Sequence, residues 1–245
     1  MIKFFRKIRQ NLLMENKTGK YFKYAIGEII LVVIGILIAL GINNWNIKNV
    51  QQKEVRTYLT SIKSNLIQDT LSLSVRTQDI KQNIQTFDSI ISLINTDEST
   101  LLLDSQLTLA LFNTHRFITE KNSFEDLTSN GKFSIIENKE IKEDILSYYN
   151  FIENSSLPFN NSLETYTRET LAPYFMRNYQ LEFPIDFNIN LNESTNFVSE
   201  DKNVIFEMNA IKYRYFVLSQ LIEIYATVTK NAKKTIDLID SELKK

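Results

Sequence analysis

The chain has 245 residues, 43% of them hydrophobic, and a formal net charge of −1 at pH 7. This balanced charge argues against a nucleic-acid-binding protein that depends on an overall basic surface. The absence of cysteine excludes disulfides, thiolate nucleophiles and cysteine metal sites, and it is compatible with a periplasmic location. Only five glycines and three prolines favour long helices over a turn-rich β fold. We therefore expect an all-α protein that binds no nucleic acid.

Residues 1–21 are predicted to be a basic cytoplasmic tail. Up to the start of the apolar region there is one acid, Glu15, against seven cations: Lys3, Arg6, Lys7, Arg9, Lys17, Lys20 and Lys23. By the positive-inside rule, this excess keeps the N-terminus in the cytoplasm. We interpret the tail as a topology signal and not as a regulatory lipid sensor, because each cation gains only about 1 kcal/mol at an anionic surface.

Residues 22–45 are predicted to be a single transmembrane helix. The stretch 22–42 reads FKYAIGEIILVVIGILIALGI and contains one acidic side chain, Glu28. At about 1.5 Å per residue, such a helix spans roughly the 30 Å hydrocarbon core of a bilayer. A cleaved signal peptide is the alternative, with a cleavage site at Ala39-Leu40-Gly41. The apolar run is longer than the roughly 7 to 15 residues of a signal peptide, which favours a retained signal anchor in the inner membrane.

Glu28 requires an explanation because a carboxylate in hydrocarbon costs a few kcal/mol. It either reaches the cytoplasmic head groups or makes a polar contact with another transmembrane helix. Gly35 and Ala39 form a small-xxx-small pattern that lets two helices approach closely. We take Gly27, Glu28, Gly35 and Ala39 as candidate contacts of the membrane helix, with a partner membrane protein or with a second copy of the chain.

The sequence from Asn49 to Ile94 contains neither glycine nor proline and predicts one long helix, which can continue directly from the membrane span. Apolar residues recur every seven positions at Leu59, Leu66, Leu73, Ile80, Phe87 and Ile94. A second set of apolar residues lies beside this row. It is on one side of the row at Val55 and Ile62 and on the other side at Ile84 and Ile91. This rotation of the apolar face suits a globular bundle better than a two-stranded coiled coil.

The middle of the chain is predicted to contain shorter elements. A loop at Asn95–Thr100 precedes a short buried segment, LLLDSQLTLALFN. Residues 123–126 fit a capping box, and Asn130-Gly131 indicates a tight turn. A helix begins near Glu137, and its buried face consists of Ile141, Ile145, Tyr148, Tyr149 and Ile152, resuming beyond Pro158 at Leu163, Tyr166 and Leu171.

Pro173 and Pro184 are expected to bracket an irregular region, in which residues 183–198 form a small hairpin or an ordered loop. A last long helix is predicted over Asn203–Leu243. Its apolar positions follow alternating steps of four and three: Val204, Met208, Ile211, Tyr215, Leu218, Ile222, Tyr225, Thr229, Ala232, Ile236, Ile239 and Leu243. We expect residues 46–245 to form a periplasmic antiparallel helical bundle built on the two long helices.

Motifs for chemistry are nearly absent. The single histidine, His115, has no Glu-x-x-His spacing around it, which leaves di-iron and zinc sites unsupported. Residues 241–244 match Ser-x-x-Lys in letters only, because they end a helix. We expect His115 to be a surface or loop residue without a ligand role. The sequence thus predicts no enzyme, no catalytic residue, no metal and no cofactor.

Three stretches carry a resemblance: MIKFFRKIRQ, YAIGEIILVVIGILIALGINNWN and FEDLTSNGKFSIIENKEIKEDILSYY. Together they resemble a family of uncharacterised flavobacterial membrane proteins catalogued as a domain of unknown function. The resemblance covers the first fifty residues and part of the middle. It implies a single-pass inner-membrane protein with a periplasmic helical domain, and it carries over no activity or ligand. Within it, Gly27, Glu28, Gly35 and a membrane-exit motif of Asn43, Asn44 and Trp45 are the positions expected to matter.

Three classes of function remain open. The first is a non-enzymatic scaffold or accessory subunit that docks envelope partners through the membrane helix and the periplasmic bundle, and we favour it. The alternative is a periplasmic ligand-sensing module that signals through a partner, because long helices joined to a membrane helix transmit small shifts. An enzyme is the third class, and the missing acid-base residues count against it.

Overall fold

A computed structural model describes residues 18–96, 105–178 and 204–244 of the chain. The chain divides into two compact units, Met1–Arg56 and Thr57–Lys245. The described residues form helices joined by turns and loops, with no strand among them. This confirms the all-α prediction. Most of the predicted tail and the predicted hairpin or loop at 183–198 lie outside the described residues.

Helix α1 comprises Thr18–Thr96. It contains the predicted helix Asn49–Ile94 and continues without a break from the apolar stretch, as the lack of glycine and proline after Gly41 allows. Within the unit Thr57–Lys245, the predicted heptad row of α1 is fully buried at Leu59, Leu66, Leu73, Ile80 and Phe87. The side chain of Ile94 lies outside the description.

Short helices follow α1 in the second unit. Helix α2, Ser105–Phe112, buries Leu107, Ala110 and Leu111 of the predicted buried segment, whereas Leu109 is 51% exposed and residues 101–104 lie outside the described residues. Helix α3, Asn122–Ser129, begins after Lys121 without a side-chain cap. The predicted capping box is therefore wrong, because Ser123 lies inside the first turn and its hydroxyl accepts a hydrogen bond from Asn65. Gly131 has a φ of 69°, which confirms the predicted turn.

A succession of helical segments follows the 3₁₀ turn Lys132–Ile135. Helix α4, Lys139–Phe151, is capped by the Asn138 side chain, which accepts hydrogen bonds from the backbone N–H groups of Glu140 and Ile141. The chain then alternates π-helical and α-helical segments: π Ile152–Ser156, α5 Leu157–Tyr166, π Thr167–Leu171 and α6 Ala172–Asn178. The predicted buried face of this region is confirmed at Ile141, Ile145, Tyr148, Tyr149, Ile152, Leu163 and Leu171, whereas Tyr166 is only half-buried.

Both prolines of this region lie two residues after a π segment. The N–H of Leu157, before Pro158, donates to the carbonyl of Ile152, and the N–H of Ala172, before Pro173, donates to that of Thr167. These wider turns help to accommodate each proline, because proline has no backbone N–H and its ring crowds the carbonyl four residues earlier. The predicted irregular region starting at Pro173 is therefore wrong up to Asn178, where α6 ends.

Helix α7, Val204–Leu243, confirms the predicted last helix. One predicted row is fully buried, at Ile211, Leu218, Tyr225, Ala232 and Ile239. The second predicted row, which includes Met208 and Ile222, is only half-buried. The other buried row is Glu207, Arg214, Leu221, Val228 and Thr235, which the sequence analysis missed because three of its members are polar.

Candidate functional site

The apolar stretch of α1 exposes its large side chains to the surroundings. Ile29, Leu31 and Leu37 have 63%, 65% and 62% of their surface exposed. No residue in the most apolar 18-residue stretch of this helix is buried, and the helix is long and apolar enough to cross a membrane. Such a surface in water would be unusual for a soluble monomer, and a bilayer or a partner would cover it.

The candidate contact residues lie on this exposed helix. Glu28, Gly35 and Ala39 are spaced by seven and four residues, which places them on one face of an α-helix. Gly27 lies on a neighbouring face. A Cβ built on Gly27 or Gly35 would meet no atom within 4 Å, so nothing within the chain requires glycine at either position. The helix therefore presents one acidic and two small residues together.

The proposed membrane-exit motif also lies within α1. Asn43, Asn44 and Trp45 are exposed, and the helix continues through them without a cap or a turn. Three consecutive residues of an α-helix point in different directions, so the structure does not bring their side chains to one face. Trp45 has 67% of its surface exposed.

A buried carboxylate is the centre of a first polar cluster in the unit Thr57–Lys245. Asp69 of α1 accepts hydrogen bonds from the hydroxyls of Thr119 and Tyr148, the latter at 2.7 Å, and from the backbone N–H of Glu120 at 3.2 Å. Burial raises the pKa of Asp69, and these hydrogen bonds oppose the shift. Burial, with the nearby Asp69 charge, also raises the pKa of Tyr148. Asp69 thus joins α1 to α4 and to the loop before α3.

His115 is the centre of a second cluster, in the loop between α2 and α3. Its φ is 52°, a left-handed conformation that the Asn113 side chain supports by accepting the His115 N–H at 3.1 Å. Nδ2 of Asn83 lies 2.7 Å from His115 Nε2. Because an amide nitrogen only donates, Nε2 is the acceptor and the imidazole is neutral. His115 is only 4% exposed, so the prediction of a surface residue is wrong, although it does lie in a loop.

The backbone of this loop is held by α7. The Tyr225 hydroxyl lies 2.7 Å from the His115 carbonyl oxygen and 3.0 Å from Oδ1 of Asn160, so two acceptors share its proton. Asn160 lies in α5, one turn after the first π segment, and it donates to the carbonyl of Ser156. Burial raises the pKa of Tyr225 to about 12. The hydroxyl of Tyr225 therefore connects α7 to the loop that contains His115 and to α5.

Arg214 of α7 is a fully buried cation beside this cluster. Its guanidinium donates to the carbonyl of Asn113 at 2.6 Å and approaches Oγ1 of Thr167 at 3.4 Å, while its Nε has no hydrogen-bond partner. Burial lowers the pKa of Arg214 to about 10. Burial, followed by the charges of Arg214 and Arg76, lowers the pKa of His115 to about 4, and Asp79 opposes that shift.

These clusters hold elements together instead of exposing reactive groups. The Nε2 of His115, the hydroxyl of Tyr225 and the carboxylate of Asp69 all have partners from other elements. Within residues 18–96, 105–178 and 204–244 no group of three His, Cys, Asp or Glu residues is placed to hold a metal ion. Asp69, Arg214 and Asn160 were not found from the sequence, although Asp69 continues a heptad from Ile62 and Arg214 continues one toward Leu221.

Comparison with known proteins gives a family but no activity. Residues 28–163 match a family model described as a family of unknown function (DUF6090). No curated protein and no solved structure matches the chain. The family match begins at Glu28, includes Gly35 to Trp45 and contains both the Asp69 and His115 positions. Because the match covers more than half of its length, the chain belongs to the family of unknown function DUF6090.

Proposed function

We propose that this protein is a single-pass inner-membrane protein that acts as a non-enzymatic scaffold or accessory subunit. The observation that carries the proposal is the contrast between the two units. The unit Thr57–Lys245 buries its own apolar rows, whereas Ile29, Leu31 and Leu37 of the other unit remain exposed. An exposed apolar helix of this length is stable when a bilayer surrounds it. The basic tail supports a cytoplasmic N-terminus and a periplasmic helical domain.

The periplasmic domain is proposed to be an antiparallel bundle of its two long helices. Lys63, early in the domain part of α1, pairs with Asp240, near the end of α7. Arg76 lies thirteen residues after Lys63, and Tyr225 lies fifteen residues before Asp240. The charge of Arg76 favours the ionised form of Tyr225 and so opposes the rise in its pKa. Positions that advance along α1 thus pair with positions that go back along α7, as an antiparallel arrangement requires.

Partner docking is proposed to use the face of the membrane helix that carries Glu28, Gly35 and Ala39. Small residues allow close approach of another helix, and a polar side chain in hydrocarbon gains from a polar contact across the interface. The partner is a second membrane protein or a second copy of this chain.

The first experiment is an intact-mass measurement on the carbonate-washed membrane fraction. We expect an uncleaved chain of 28.7 kDa in the pellet. A soluble product that begins near Ile42 would show instead that the apolar stretch is a targeting segment, and the membrane proposal would be abandoned.

The docking proposal is tested by affinity purification of the full chain in mild detergent. We expect a stoichiometric partner or a dimer, and we expect Gly35→Leu to lower its recovery about tenfold because the added side chain separates the helices. Gly41→Leu is the matched control, since it adds the same side chain six residues later on a different face. Equal recovery with both variants, or no stoichiometric partner of the wild type, would contradict the proposal.

A further inference from the structure

An open groove lies between α1 and α7 in the unit Thr57–Lys245. It runs along Thr70–Lys81 of α1 and Ile222–Lys233 of α7, and its volume is about 950 Å³. The apolar surface of the lining comes from Leu71, which is 58% exposed, and from the half-buried Ile222. Small side chains such as Ser74 and Ala226 are exposed along it. The groove therefore combines apolar surface with room for a close approach.

All charged side chains in this lining are cations. Lys81, Lys230 and Lys233 are exposed, and none of them forms an ion pair with a described residue. No aspartate or glutamate lines the groove. Three ammonium groups in a lining without acidic residues favour an anionic occupant, and they would steer its approach.

The lysines are far apart along the groove. In the antiparallel arrangement proposed above, Lys230 and Lys233 lie opposite the region of Thr70, whereas Lys81 lies opposite the region of Ile222. Eleven residues of α1 separate the two ends, which is roughly 16 Å at the rise of an α-helix. One small anion such as phosphate cannot contact both ends. An elongated occupant with several carboxylates can.

Two adjacent helices also offer the shape that a third helix needs. Ridges of side chains on one helix pack into the groove between rows on its neighbours, and small residues at the contact shorten the distance between axes. We propose that this groove binds an acidic amphipathic helix of a partner protein, whose apolar face covers Leu71 and Ile222 and whose carboxylates pair with the three lysines. This inference rests on the proposed scaffold function and names the surface in its helical domain.

The experiment is site-specific photocrosslinking of the full chain in its own cells. A photoreactive amino acid replaces Ser74 or Ala226 in the groove, and an exposed position elsewhere on α7, Lys212, serves as the control site. The crosslinked peptide is identified by mass spectrometry. The same crosslinking is then repeated with Lys81→Glu, Lys230→Glu and Lys233→Glu combined, and with the single variant Lys212→Glu as a matched charge reversal outside the groove.

We expect one partner, crosslinked from the groove positions only, through a segment with acidic residues at helical spacing. The triple reversal should lower the yield about tenfold, and Lys212→Glu should leave it unchanged. A groove crosslink to a second copy of this chain, a yield that charge reversal does not change, or no groove crosslink above the control would each overturn the inference. If a partner still co-purifies in those cases, the scaffold proposal stands with another docking surface; if none co-purifies with the wild type, the scaffold proposal fails.

Discussion

At the scale of single residues, the domain is organised by buried polar groups that connect different elements. Asp69 accepts three hydrogen bonds from two other segments, and Tyr225 and Arg214 both bind the loop that contains His115. A buried acceptor that loses its donors, or a donor that loses its acceptor, keeps the full cost of leaving water. Changes at these positions should therefore affect stability more than their small number suggests.

Asp69→Ala should lower the free energy of unfolding by about 3 kcal/mol, because the buried hydroxyl of Tyr148 and the hydroxyl of Thr119 lose their acceptor. Tyr148→Phe should cost only about 1 kcal/mol, since Asp69 keeps two other donors. Chemical denaturation of the detergent-solubilised chain, followed by circular dichroism, measures both. Asp88→Ala is the control, an exposed carboxylate of the same helix. Equal costs for Asp69→Ala and Tyr148→Phe would contradict the central role of the carboxylate.

His115 should make the protein less stable as the pH falls from about 6.5 to about 4. Its folded-state pKa of about 4 lies below the ordinary value of 6.5, so the unfolded chain binds more protons in this window. The stabilisation is fully present above pH 6.5 and is lost as the pH falls to about 4. The free energy of unfolding should decrease by at most about 3 kcal/mol over this range. The pH dependence should be weaker in His115→Asn, because asparagine tolerates the left-handed conformation and does not titrate.

The imidazole signal measures this pKa directly, because the chain has one histidine. We expect NMR titration of isotope-labelled protein to give a pKa near 4, and a higher value in Arg214→Met, which removes a neighbouring cation. An ordinary pKa in the wild type would show that His115 is exposed in solution.

At the scale of elements, the π segments allow one helical succession to pass two prolines. Each π segment ends two residues before its proline, and each closes with an N–H that donates five residues back. The first π segment contains Ser156, whose carbonyl accepts from Asn160, and the second contains Thr167, which Arg214 approaches. Each π segment thus also contributes a residue to a polar contact, with Asn160 in the first case and with Arg214 in the second.

Deleting Glu153 should remove the extra residue of the first π segment. With Pro158 present we expect a cost of about 3 kcal/mol, because a regular α-helical turn places the ring against the carbonyl four residues earlier. In the Pro158→Ala background the deletion should cost about 1 kcal/mol or less. The four unfolding free energies form a double-mutant cycle. An additive cycle would mean that the proline and the π segment are independent.

At the scale of the whole molecule, two kinds of apolar surface lie on one helix. In the domain part of α1, Leu73 is fully buried, whereas Val75, two residues later, is 62% exposed. In the apolar stretch nearer the N-terminus, the large side chains are exposed all around the helix. The first pattern is that of a helix packed in a core, and the second is that of a helix long and apolar enough to cross a membrane.

Leu73→Ala and Leu218→Ala should each lower the unfolding free energy by about 2–5 kcal/mol, because each leaves a cavity in the buried rows. Val75→Ala should change it by less than about 0.5 kcal/mol. Denaturant unfolding of the three variants compares them under one condition. A cost for Val75→Ala as large as that for Leu73→Ala would show that α1 is packed on both faces.

The sequence by itself determined the features that depend on local pattern. The apolar stretch, the two long helices, the buried rows of Leu59–Phe87 and Ile211–Ile239, and the turn at Gly131 follow from periodicity, length and glycine conformation. These properties are set by residues close in the chain, so they can be recognised without knowing what packs against them.

Only the tertiary structure decided which polar residues are buried in the core. Asp69, Arg214 and His115 are buried because hydrogen-bonding partners from distant segments offset the loss of water, and no local pattern contains those partners. The same reason explains the helix through Pro173, which local rules end at the proline. Here a π turn and the packing of buried Leu171 and Phe175 support it.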